Sequence, residues 1–189
     1  MYMAATTTKK RWTRADLRAI PDDGNRYEII DGELFVTPSP SPVHQRLVMR
    51  LLLLLHVYVD EHRIGEVLPS PADIELADDT VVQPDVFVAS RLDGKVPQRW
   101  EDFGPLLLAV EILSPDTART DRRIKRHRYQ RDSIPEYWIV DGDARVVERW
   151  RPEDERPEIV IERLEWMPDA RVAPLVIDLP ALFVATLGT

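Results

Sequence analysis

The chain has no cysteine among its 189 residues. That excludes a disulfide framework, a thiolate nucleophile and a cysteine-ligated zinc centre, and it fits a reducing cytoplasm. Long hydrophobic runs are also missing. The most apolar stretch, Leu47 to Val59 (LVMRLLLLLHVYV), is too short for a membrane span and contains Arg50 and His56. The start of the chain, MYMAATTTKKRW, lacks the apolar centre of a secretory signal, and its first ten residues are expected to be a loose tail. There is no glycine-rich phosphate loop, no serine nucleophile elbow and no paired-histidine zinc motif. Acids outnumber bases, 33 to 25. The net charge is −8, which argues against a general polyanion binder.

The remaining composition is that of an ordinary soluble domain, 44% hydrophobic and 31% charged, and long enough for a substantial core. Its charge is uneven. From Arg119 to Arg131 there are seven Arg or Lys and one acid, Asp121, so this segment carries +6 and the rest of the chain −14. Such a block suits either a phosphate-facing surface or a solvated helix face.

Pattern predicts the elements. Thr13 to Ile20 is a short helix with Thr13 as N-cap and Asp16 three residues on. Two apolar-rich runs flank Asp31-Gly32, a hairpin signal. A long, broadly apolar helix follows Ser39. Strands are expected at Glu66–Leu68, Ala72–Ala77, Val81–Ala89 and Pro105–Leu113. A helix then runs from Thr117 to Ile134, where Pro135 marks its exit. EYWIVDG and ARVVERWR form a second hairpin, with Asp141-Gly142 as turn chemistry. Ile159 to Trp166 adds an edge strand, and IDLPALFVATL closes the chain as a helix. This order predicts an α/β (α+β) mixed sheet flanked by helices, in one domain over residues 11–189.

Two apolar strands each hold an acid: Asp85 in VVQPDVFVAS and Glu111 in LLLAVEILSP. A buried carboxylate costs several kcal/mol unless paired or bound to a cation. Alternation places Gln83, Asp85 and Phe87 on one face, and Ala109, Glu111 and Leu113 on one face. If the strands pair, the carboxylates converge, and their repulsion is relieved by a cation between them. Oxygen donors of this kind suit Mg2+ or Mn2+, which polarises a phosphate and acidifies a bound water. Asp73, ahead of the Asp85 strand, is a further candidate. Asp121, Lys125 and Tyr129 are spaced i, i+4, i+8 and share a helix face.

The series QPDVFV, LLLAVEILSP, DRRIKRHRYQ and IPEYWIVDG, with YEIIDGELF and a histidine opening the long helix, resembles the bacterial "putative restriction endonuclease" family of the PD-(D/E)XK nuclease superfamily. The resemblance covers Tyr27 to Trp150. It implies a restriction-endonuclease-like fold, a divalent metal and phosphodiester cleavage, with Asp85 and Glu111 as the two acids. It departs from the superfamily pattern at Leu113, where lysine is usual. It implies Lys125 as the substitute that assists the attacking water, and it brings Glu28, His44, Asp121 and Tyr129 forward as further site candidates. Arg119, Arg122, Arg123 and Arg126 would contact nucleic acid, expected to be DNA. A double-strand cut by so small a chain needs two active sites, so a cytoplasmic homodimer with no membrane association is expected. The rival expectations are an inactive nuclease-fold protein that binds nucleic acid or a partner, and a structural homo-oligomer built on the long apolar helix.

Overall fold

The computed structural model describes residues 10–37 and 39–188. They divide into two compact units, a smaller one of residues 10–37 and 73–82 and a larger one of residues 39–72 and 83–188.

The smaller unit opens with helix α1 (Arg14–Arg18). Thr13 caps it as the sequence predicts, and the Asp16 carboxylate returns a bond to the Thr13 backbone. Strands β1 (Arg26–Ile30) and β2 (Glu33–Thr37) pair antiparallel with Ile30 opposite Glu33, which leaves Asp31-Gly32 as a two-residue turn. Both turn residues have positive φ, 52° and 79°. That is the mirror-image turn that matches strand twist, and Asp-Gly is among the pairs that adopt it readily. With β4 (Ile74–Ala77) and β5 (Thr80–Val82) they form a four-stranded sheet in the order β2-β1-β5-β4.

The larger unit holds a six-stranded sheet in the order β10-β9-β8-β7-β6-β3. Its strands are β3 (Gly65–Pro69), β6 (Val86–Arg91), β7 (Phe103–Ile112), β8 (Glu136–Asp141), β9 (Val146–Trp150) and β10 (Glu158–Val160). All pairs are antiparallel except β7 with β8, which is joined by a helical crossover. Helix α2 (Pro42–Glu61) lies against one face of this sheet, capped by Ser41, whose hydroxyl accepts from His44 N, and preset by Pro42. Its inner residues Leu47, Leu51, Leu55 and Val59 pack with Val86, Val88, Leu108, Val110, Ile112, Trp138 and Val140. The same core takes in Leu182 and Phe183 of α4 (Leu179–Leu187). Residues alternate along β7 and β8, so Ala109, Glu111, Tyr137 and Ile139 belong to the opposite face. Among the described residues no helix is long and apolar enough to cross a membrane.

Three expectations are corrected. The single strand foreseen at Val81–Ala89 is two, β5 and β6, in different units. Pro84 has no N–H for a ladder and sits at the break. The edge strand foreseen at Ile159–Trp166 is also two: β10 pairs with β9, and β11 (Arg163–Trp166) pairs with β12 (Leu175–Asp178), a strand the sequence pattern did not announce. The crossover helix is not regular. Residues Thr120–Lys125 wind as a π-helix before α3 (Arg126–Arg131).

Candidate active site

Asp85 immediately precedes β6. One step beyond the Val86–Val110 pair it stands opposite Glu111, on the same sheet face. Both residues are 3% exposed. Asp85 Oδ2 accepts two bonds of 2.9 Å, from the Ile112 N–H and from a proton on His44 Nε2. Burial works against ionisation of Asp85, but the His44 bond and charge, the Ile112 N–H and the Lys125 charge outweigh it and hold its carboxyl below the ordinary range.

The crossover helix completes the cluster. Lys125 Nζ donates to Glu111 Oε1 at 2.8 Å, with both side chains 4% exposed. Asp121 Oδ1 lies 3.8 Å from the same ammonium, and Tyr129 OH donates to Glu111 Oε1 at 3.4 Å. The π winding has a visible partner. The Asp121 carbonyl accepts from Arg126 N–H, five residues on, and also from Tyr137 OH at 3.2 Å. Wide turns of this kind recur at functional sites. Tyr137 itself is fully buried. Burial first, then the charges of Asp121, Glu111 and Asp85, push its hydroxyl well above the ordinary tyrosine range. Three carboxylates and one ammonium therefore share one low-dielectric neighbourhood.

Of the sequence candidates, the larger unit brings together Asp85, Glu111, His44, Asp121, Lys125 and Tyr129. Glu28 and Asp73 belong to the smaller unit. Glu28 is buried in β1 and accepts from Thr37 Oγ1 at 3.4 Å, whereas Asp73 is exposed ahead of β4. The four arginines differ among themselves. Arg122 is held between Asp141 at 2.7 Å and Glu148 at 2.6 Å, so the fold already balances its charge. Arg126 bonds Gln130 and lies over the Trp150 ring. Arg119 and Arg123 are exposed and form no ion pair among the described residues. Tyr137 was missed. The β7–β8 register sets it on the Glu111 face of the sheet, and its hydroxyl donates to the Asp121 carbonyl.

The chain matches the family described as "Uma2: Putative restriction endonuclease" over residues 14–181. The chain belongs to this family. Among solved structures, it is similar to one titled a putative nuclease belonging to DUF820 from Anabaena variabilis, with TM-score 0.68 and 20% identity, covering 91% of this chain and 97% of that one. That likeness shows the fold, a mixed sheet flanked by helices. No curated protein matches the chain.

The donor chemistry of this Uma2 chain fits a hard divalent cation. Asp85 and Glu111 offer buried oxygens from adjacent strands. The ring of His44, whose Nε2 meets Asp85, leaves Nδ1 buried without a hydrogen-bond partner among the described residues. An orphaned polar atom on a ring that meets a carboxylate suits a site completed by solute or water. Among the described residues no three His, Asp or Glu side chains form a group that could hold a metal. A cation at this site would therefore rest on two carboxylates and keep most of its waters, as Mg2+ commonly does.

Proposed function

We propose that this chain is a metal-dependent nuclease that hydrolyses phosphodiester bonds of DNA, with Asp85 and Glu111 holding Mg2+ or Mn2+ and Lys125 assisting the attacking water. The observation that carries the reading is the 2.8 Å approach of Lys125 to Glu111, from a helix that begins beyond the Leu113 position. The family match spans both units, which supports one restriction-endonuclease-like domain over residues 11–189.

Within this reading each side chain has a stated task. His44 and the Ile112 N–H fix the Asp85 carboxylate in one orientation. The Lys125 ammonium orients the water and meets the charge that grows on the phosphate oxygens. Tyr129 and Asp121 keep that ammonium within reach of Glu111. The bound metal would supply a Lewis acid and a more acidic water. The water oxygen bonds to phosphorus, the ester P–O bond breaks, and the departing oxygen takes up a proton. Arg119 and Arg123 supply phosphate contacts for an otherwise acidic chain.

The test is cleavage of supercoiled plasmid with Mg2+ or Mn2+ by the native chain and by Glu111→Ala. Native cleavage that needs the metal and disappears in the variant is the expected result. Equal cleavage by the two proteins, or none by native protein on any DNA, overturns it. The rival reading is a nuclease fold that binds without cutting, and Leu113, where lysine is usual in the superfamily, is the observation behind it. Mn2+ calorimetry separates the two, because the non-cutting form need not take up metal through Asp85.

A further inference from the structure

Helix α2 carries an apolar face that the fold leaves uncovered. Opposite its buried side, Met49, Leu53 and Val57 follow one another at i, i+4 and i+8 and are 54%, 53% and 64% exposed. Leu54 extends the patch. Single exposed apolar residues are ordinary, but a contiguous stripe along a helix marks an interaction surface. The stripe is bracketed by charge. Arg46 precedes it, Arg50 flanks its first residue, and Asp60 and Glu61 follow it. All four are exposed, and none forms an ion pair among the described residues. Arg46 only donates Nε to the Thr186 carbonyl, at 3.0 Å.

This polarity runs against the helix itself. The macrodipole favours acids at the start of a helix and bases at its end. Helix α2 has no acid in its first turn and no base in its last, and it ends on Asp60 and Glu61. Charges that are unfavourable within one helix become favourable when the basic end meets an acidic end. A second copy of the same helix, reversed, offers that end.

We propose that the outer stripe of α2 is the contact between two copies of this chain, packed antiparallel about Leu53. Around that point the stripe is self-complementary. Met49 meets the partner's Val57, Leu53 meets its own copy, and Arg46 meets the partner's Asp60. A parallel pair would set Arg46 against Arg46 and Asp60 against Asp60. Antiparallel packing is also what a two-fold axis perpendicular to the helix imposes. The proposal rests on α2 alone and stands whether or not the chain cleaves DNA.

The missing cysteine makes the test clean, since one introduced thiol is the only one present. Under mild oxidation, Leu53→Cys is expected to form a covalent dimer, because the residue lies on the axis. Met49→Cys alone is expected not to. Its two copies would be about 12 Å apart along the helix, beyond disulfide reach. A mixture of Met49→Cys and Val57→Cys is expected to cross-link. In sedimentation equilibrium the native chain is expected at twice its chain mass, and Leu53→Glu at one chain mass, with its dissociation constant raised at least about tenfold by an unpaired interfacial charge. A native mass of one chain overturns the proposal. So does a dimer that Leu53→Glu leaves intact, or Met49→Cys linking by itself as well as Leu53→Cys does.

Discussion

Lys125→Met tests the buried cluster most directly. Methionine keeps most of the side-chain volume and removes only the ammonium. The fold then retains Glu111 and Asp121, both nearly inaccessible to solvent, without the cation that lies 2.8 and 3.8 Å from them. Removing one partner of a buried ion pair costs about 3–5 kcal/mol, against about 0–1 kcal/mol for an exposed pair. A domain of this size has about 5–15 kcal/mol in all, so the loss should be plain in urea unfolding followed by the fluorescence of the buried Trp138 and Trp166. A second substitution separates charge from packing. Glu111→Gln keeps an acceptor for Tyr129 OH, so Lys125→Met with Glu111→Gln should recover at least about half the loss, a coupling of roughly 2 kcal/mol. Both variants should lose cleavage, but Lys125→Met alone should take up Mn2+ more tightly than the native chain, because the competing ammonium is gone. A cost below about 1 kcal/mol for Lys125→Met, or strict additivity in the double variant, would refute the argument that these groups form one low-dielectric unit.

The two ends of β8 should respond oppositely to pH. Asp141, half-buried, is held below the ordinary carboxylate range because bonds from Ala144 N–H and Arg122 outweigh its burial, so its contribution is present above the unfolded pKa and is lost as pH falls. Asp141→Asn should therefore be less stable than native at neutral pH, with the gap closing in acid. Glu136 is raised by burial, which the bond from Trp138 Nε1 and two nearby arginines only partly offset. Its contribution is present at low pH and is lost as pH rises, so Glu136→Gln should gain on native towards neutral pH, as read by thermal melts across pH. Gly65→Ala should destabilise by about 1–3 kcal/mol in urea, because a Cβ there would stand 2.1 Å from the Ala89 carbonyl oxygen. Replacing Arg119 and Arg123 by glutamate should weaken DNA retention in a filter assay and lower its salt dependence, whereas Arg122→Glu should act mainly through stability.

How much of this was legible depended on whether the signal was local. The Asp31-Gly32 turn, the Thr13 cap and the long α2 helix follow from neighbouring residues, and they stand where the pattern put them. The convergence of Asp85 with Glu111 was half legible. Alternation gave the shared face, but the antiparallel register that sets one acid opposite the other is a tertiary fact. Lys125 was nominated by spacing and resemblance, and no sequence rule could say that its helix reaches Glu111. The pairing of Arg122 with Asp141 and Glu148 was invisible, because those acids lie on strands that come later in the chain. Charge counted along the sequence therefore overstated the basic surface. β12 was hidden for a similar reason, since LVID gains strand character only by pairing with β11.

The π winding at Thr120–Lys125 bears on how this segment can change. Its backbone bond spans one residue more than an α-helix would use, so deleting a single residue there would give a more regular helix. It would also rotate everything downstream and turn Tyr129 away from Glu111. Such deletants would keep a helix while losing the cluster. In comparing relatives, a one-residue gap in this segment would therefore carry more information than the identity of any one basic residue around it.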